Sequence, residues 1–249
     1  MRVQGARRLI VNADDFGLNE RVTRETIALI SRGRITSATI LANGTRAEEA
    51  VEYATSNEAA SFGVHLNLSE GRCMGSSRDV AGLIAGGQFS GRPPRSRVHP
   101  RENQIVFDEW RAQIDRLLEL GLQPSHIDSH HHVHTIPKYF PVLKRIQKTY
   151  GIPRIRISKN IYTAPPSLAG RCAKLAWNNA LRFIPPFART ANFFTSVDDY
   201  HTIDASRLRD GTYELMCHPG HPDYEDETSK LAAYEPLAGH EALISYHSL

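Results

Sequence analysis

The stretch Leu9-Ile-Val-Asn-Ala-Asp-Asp-Phe-Gly17 decides the fold. An apolar run leads into two adjacent carboxylates, Asp14 and Asp15, and then into a turn containing Gly17. A short apolar run closed by a turn signal reads as a strand buried on both faces, delivering its acidic end to one edge of a sheet. The design recurs along the chain. Apolar strands end in His, Asp, Asn or Arg, and most are followed by a helix.

Working outward, Asn19 is placed to cap a helix that Gly33 ends, with Val22, Thr26, Leu29 and Ile30 on one face. A second strand spans Ser37–Leu41 and runs into Ala42-Asn43-Gly44. Thr45 and Glu48 then read as a T-x-x-E capping box. The third strand, Ser61–Leu68, carries His65. From Gly71 to about Asn103 the chain is rich in Gly, Ser, Pro and Arg, a long insertion that reads equally as a lid or as a solvated loop. A helix from about Gln104 to Leu120 buries Phe107, Trp110, Ile114, Leu117 and Leu118. The fourth strand, Ser125–Asp128, enters Ser129-His-His-His-Val-His134, and Pro137 opens a helix ending at Gly151. Arg154–Ser158 reads as strand five, followed by a helix from about Ser167 with Leu168, Cys172, Leu175 and Ala176 on one face. Phe193–Val197 and Tyr213–His218 are strands six and seven, and a polar helical segment closes the chain.

About seven strands alternating with helices imply an α/β fold with a largely parallel sheet, either a closed or partly closed barrel or an open doubly wound sheet. The whole of 1–249 is expected to form one domain. In either architecture function gathers at the C-terminal strand ends. So many polar strand ends converge more naturally in a barrel mouth.

Composition narrows the function classes. A hydrophobic share of 41% with 23% charged residues fits a globular domain rather than a disordered chain. A net charge of +3, without an aromatic–basic motif, gives no sign of nucleic acid binding. Cys73, Cys172 and Cys217 are far apart, which fits a reducing compartment rather than a disulfide framework. With no secretory signal and no apolar run of spanning length, a cytoplasmic protein without a membrane span is expected.

Histidine is the unusual residue, with twelve in the chain and four of them in His130-His-His-Val-His134. If strand geometry continues past Asp128, then Asp128, His130, His132 and His134 share one side. Adjacent Asp14 and Asp15 point to opposite faces of a regular strand, so both enter one site only if the strand bends there. Asp15, His65 and His130 together supply one carboxylate and two imidazoles, leaving open positions for water and substrate, as in a catalytic divalent metal centre. Asp14 is the candidate base and His218 the candidate acid toward a leaving amine. Asp128 is placed to orient a histidine. Asn43 and Arg156 are candidate substrate contacts; the alternatives are support of the turn before Gly44 for Asn43, and carboxylate orientation or a simple ion pair at the sheet end for Arg156. No G-x-S-x-G, G-x-x-x-x-G-K-[ST] or G-x-G-x-x-G is present, so a metal-activated water is preferred to a covalent nucleophile or a nucleotide site.

Four segments carry a family resemblance: Leu9–Gly17, Gly63-Val-His-Leu66, His126-Ile-Asp-Ser-His-His-His-Val-His134 and Met216-Cys-His-Pro219. In that order, over nearly the whole chain, they resemble the YdjC-like carbohydrate deacetylases, which include chitooligosaccharide deacetylases. The resemblance implies a distorted (β/α) barrel related to the NodB-type deacetylases. It also implies one divalent ion and hydrolysis of an N-acetyl group on an amino sugar or oligosaccharide. It places the metal on Asp15, His65 and His130, the base on Asp14 and the late His-Pro motif on His218. The family is recorded with magnesium, while the donor set suits zinc at least as well. Homodimers are also implied. A hopanoid-associated branch makes a lipid-linked amino sugar the alternative substrate, and a non-catalytic sugar-binding member is a further alternative. A multi-metal phosphoesterase is a weaker rival, because such enzymes place H-x-H on the first strand. Two departures stand out: the chain stops at Ser248-Leu249, before a final helix that relatives often carry, and Gly220-His221 follows the His-Pro.

Overall fold

The computed structural model describes residues 7–75, 83–91, 93, 101–164, 166–233 and 240–249. In chain order the elements are β1 (Arg7–Phe16), α1 (Glu20–Ser31), β2 (Ser37–Ile40), α2 (Ala47–Thr55) and β3 (Ser61–Leu66). A hairpin of β4 (Ile84–Ala85) and β5 (Gln88–Phe89) precedes α3 (Glu102–Glu119) and β6 (Ile127–Ser129). Then come α4 (Phe140–Tyr150), α5 (Leu168–Phe183), β7 (Phe193–Ser196), α6 (Val197–Thr202), β8 (Thr212–Cys217), α7 (Glu225–Ala233) and β9 (Glu241–Leu243). The principal sheet runs β6-β3-β2-β1-β8-β7, with β9 beside the start of β1. Every pairing in it is parallel. It curls into a half-barrel, so the sequence-derived α/β barrel architecture holds.

β1 lies at the centre of this sheet, and residues 9–16 are all buried. That is why the deciding stretch is a continuous apolar run rather than an alternating one. Asn19 caps α1 through its side-chain oxygen, which accepts from the Val22 amide at 3.0 Å. Gly44 holds the ends of β1 and β2 together. A Cβ there would lie 2.2 Å from the Gly17 carbonyl oxygen, so only glycine permits the approach.

Several expectations are corrected. Arg154–Ser158 forms no continuous strand. It is held by single parallel bridges, Ile127 to Ile155 and Arg154 to Arg189, and so fills the seam between the two sheet edges. The proposed capping box does not form. Arg46 occupies the α2 N-cap without a side-chain bond, and the Thr45 hydroxyl donates to the Leu18 carbonyl instead. The α5 stripe is present, but Leu168 and Leu175 point outward, 74% and 62% exposed. Glu241–Leu243 adds a strand that composition did not reveal; its backbone pairs with Arg7–Leu9, and the Glu241 carboxylate accepts from the Arg7 guanidinium at 3.2 Å. Within the long insertion only the β4–β5 hairpin and its neighbours are described, and the rest of 71–103 lies outside the described residues. Among the described residues, no helix is long and apolar enough to cross a membrane.

Candidate active site

β1 does bend where its carboxylates require it. The ladder with β2 shifts register between Ala13 and Phe16, and Asp15 itself takes a φ of +61°. Asp is one of the few non-glycine residues that tolerates this region. The bulge turns Asp14 and Asp15 toward one cavity of about 370 Å³, which His65, His130 and His218 also line.

Asp15 Oδ1 is the meeting point. It lies 2.7 Å from His130 Nδ1 and 3.1 Å from His65 Nε2. One donor atom from each of the three residues falls within 4.8 Å of the others. His65 is oriented from behind: its Nδ1 lies 2.7 Å from Asp128 Oδ1, leaving Nε2 for the cavity. Thr39 donates to the other Asp128 oxygen at 3.0 Å. Burial opposes ionisation of Asp15, but hydrogen bonds to His130 and His65 outweigh it and hold the carboxyl well below the usual range. Burial likewise disfavours charge on His65, yet Asp128 and Asp15 push its pKa up to about 10. The surroundings therefore favour positive charge at this point, which a cation supplies equally well. His130 Nε2 is buried without a hydrogen bond, 3.5 Å from the Glu70 carboxylate. A buried carboxylate and two imidazoles converging on one point fit a divalent ion.

Asp14 sits in a different environment. Arg156 grips it with two bonds of 2.6 Å each, and Asn12 donates at 2.9 Å. Burial opposes its ionisation, and the Arg156 charge outweighs that, holding Asp14 well below the usual carboxylate range. Arg156 also reaches Asp128 at 2.8 Å and Glu214 at 2.6 Å. It is 0% exposed, so it positions carboxylates and has no surface for substrate. Asn43 likewise turns away from the cavity: it donates to the carbonyls of Glu70 and Arg72, both at 3.0 Å, and secures the loop carrying Glu70. His218 lines the cavity, stacked on Tyr224 at 4.3 Å with Nδ1 3.6 Å from the Glu227 carboxylate. Burial disfavours its protonation, while Glu227, Asp14 and Asp15 reverse that and raise its pKa.

The histidine run does not continue as a strand. β6 ends at Ser129 and a 3-10 turn covers His130–Thr135, with His131 and His132 at φ 52° and 55°. His130 is thereby turned to the cavity. His134 is buried, bonded to Ser129 and facing the Arg156 carbonyl at 3.1 Å, so the one-sided alignment of four residues is lost. Glu214 and Glu70 went unrecognised in the sequence. Glu214 carried a usable signal, a carboxylate in the middle of the apolar run Tyr213–Cys217.

This geometry coincides with a family assignment. The YdjC-like protein family profile matches residues 8–247. The chain belongs to that family. Relatives named carbohydrate deacetylase share this YdjC-like sequence. The protein from Oceanobacillus iheyensis is 40% identical over 220 residues, covering 87% of this chain and 86% of its own. That from Clostridium beijerinckii is 31% identical over 242 residues, covering 95% and 91%. A solved structure from Enterococcus faecalis, described as a candidate cellobiose-phosphate cleavage protein, superposes with a TM-score of 0.69. It covers 98% of both chains at 23% identity, a likeness of fold.

Proposed function

We propose that this YdjC-like protein is a metal-dependent hydrolase that removes the N-acetyl group from an amino sugar or oligosaccharide. The observation that carries the reading is the convergence of His65 Nε2 and His130 Nδ1 on Asp15 Oδ1, in a cavity that Asp14 also lines. The relatives named carbohydrate deacetylase support the reaction class. Asp15, His65 and His130 would hold one divalent ion, magnesium or zinc. When bound, such an ion polarises an acyl carbonyl and lowers the pKa of a water.

The protein's own groups divide the remaining work. Asp14 stays ionised at neutral pH because Arg156 holds it so, and its remaining lone pairs accept a proton from the attacking water. The water oxygen adds to the acetyl carbon, and the C–N bond breaks. His218, whose protonated form Glu227 and the acidic cavity favour, donates to the departing nitrogen. The products are acetate and a free amine.

The test is acetate release by protein stripped of metal and reloaded with Mg, Zn, Mn or Co. Substrates are N-acetylglucosamine, chitobiose, chitotriose and a lipid-linked N-acetyl sugar. The reading predicts metal-dependent release that Asp15→Asn abolishes together with metal binding. Release that survives both chelation and Asp15→Asn contradicts it.

A further inference from the structure

The modest net charge conceals a one-signed region. Residues 129–197 contain no Asp or Glu, although Arg171, Lys174, Arg182 and Arg189 lie on α5 and just beyond it. Beside α5 lies a groove of about 640 Å³, separate from the catalytic cavity. Arg171, Lys174, Arg182, Arg207 and Arg209 line it, and among the described residues no carboxylate does.

The same helix presents apolar surface to solvent. Leu168, Leu175 and Phe183 are 74%, 62% and 66% exposed, and Phe187 in the turn that follows is 69% exposed. Ile184 extends the patch at 46%; elsewhere among the described residues, only Leu118 and Tyr224 are large exposed hydrophobics. Residues 168, 175 and 183 follow one another at near-helical spacing, so they form a stripe rather than a scatter. Large apolar side chains interleaved with cations on one exposed helix are the pattern of a surface that lies in a lipid interface.

Charge argues against the main competitor. A two-fold contact between copies would bring Arg171 and Arg207 against the same basic face of the partner. An anionic partner neutralises that face.

We propose that α5 and the turn after it form a docking surface for an anionic bilayer. Phosphate headgroups enter the basic groove, and Leu175, Phe183 and Phe187 enter the boundary between headgroups and acyl chains. This rests on the outer face of α5 and not on the reading of the catalytic cavity.

The test is co-sedimentation of the full chain with phosphatidylcholine vesicles, with and without phosphatidylglycerol, at low and high salt. The proposal predicts binding only to the phosphatidylglycerol vesicles, weakened by salt. Arg171→Gln and Arg207→Gln, both at exposed positions, each weaken binding about fivefold. Phe187→Ser also weakens it, and circular dichroism stays unchanged in all three. Three results overturn the proposal: no binding to phosphatidylglycerol vesicles, equal binding to both kinds, or variants that bind like the wild type. A dimer by light scattering that Leu175→Glu dissociates also overturns it and assigns the face to a second copy.

Discussion

Replacing Arg156 by Met removes the one cation shared by Asp14, Asp128 and Glu214, at contacts of 2.6, 2.8 and 2.6 Å respectively. Asp14 is 2% exposed and Asp128 and Glu214 are 0% exposed, so water cannot replace the guanidinium. Each pair is worth about 4 kcal/mol of gross attraction at charge separations of about 4 Å in an effective dielectric of about 20. Desolvation offsets most of that, so the useful quantity is the loss when one partner is deleted, about 3–5 kcal/mol. Set against a total stability of about 5–15 kcal/mol, this is a large fraction. It corresponds to a fall in Tm of about 6–20 °C. The loss should be greater at pH 8 than at pH 5, because lone buried carboxylates regain protons as the pH falls. Urea denaturation followed by circular dichroism at both pH values measures it. Asp14→Asn in the Arg156→Met background should recover part of the loss, which a double-mutant cycle isolates. A loss below about 1 kcal/mol at pH 8, or no coupling to Asp14, would refute the view of Arg156 as the electrostatic centre of the site.

Glu214 offers a pH test of the same network. Burial pushes its carboxyl from 4.5 up to about 7, against the pull of Arg156. A raised folded-state pKa contributes stability that is present below 4.5 and lost as pH rises through 7. Glu214→Gln should therefore gain stability relative to wild type across that window, and parallel pH–stability curves would sink the assignment. Gly44→Ala should destabilise by about 1–3 kcal/mol, since its methyl meets the Gly17 carbonyl and forces the β1 and β2 ends apart. Thermal melts of that variant within error of wild type would show that the strand ends yield freely.

Much of this arrangement is legible in the sequence where burial leaves a pattern. β1 and β3 are buried on every residue from 9 to 16 and from 61 to 66, so they read as apolar runs. Asn19 and Ser167 announce their helices because capping is local chemistry. The meeting of Asp15, His65 and His130 could be anticipated because each lies at or near the end of a parallel strand. Other features leave no local trace. The turn at His131 and His132 depends on positive φ values that no periodicity encodes. Arg154–Ser158 alternates like a strand, yet the curled sheet offers it only bridges at the seam. For α5, spacing identifies an apolar stripe but cannot say which side meets solvent, and the inward side here is carried by Asn178 and Leu181. Arg156 reads as a strand-end cation, and only the fold shows it enclosed by three carboxylates from β1, β6 and β8.

The most direct test of the account separates holding a cation from using it. Calorimetric metal titration and acetate release should be measured side by side on wild type, Asp14→Asn and Asp15→Asn. The account predicts that Asp14→Asn binds one ion per chain with nearly wild-type affinity yet loses at least about 100-fold in acetate release. Asp15→Asn should lose both properties. Acetate release by Asp14→Asn at the wild-type rate, or metal binding by Asp15→Asn at the wild-type affinity, would contradict it.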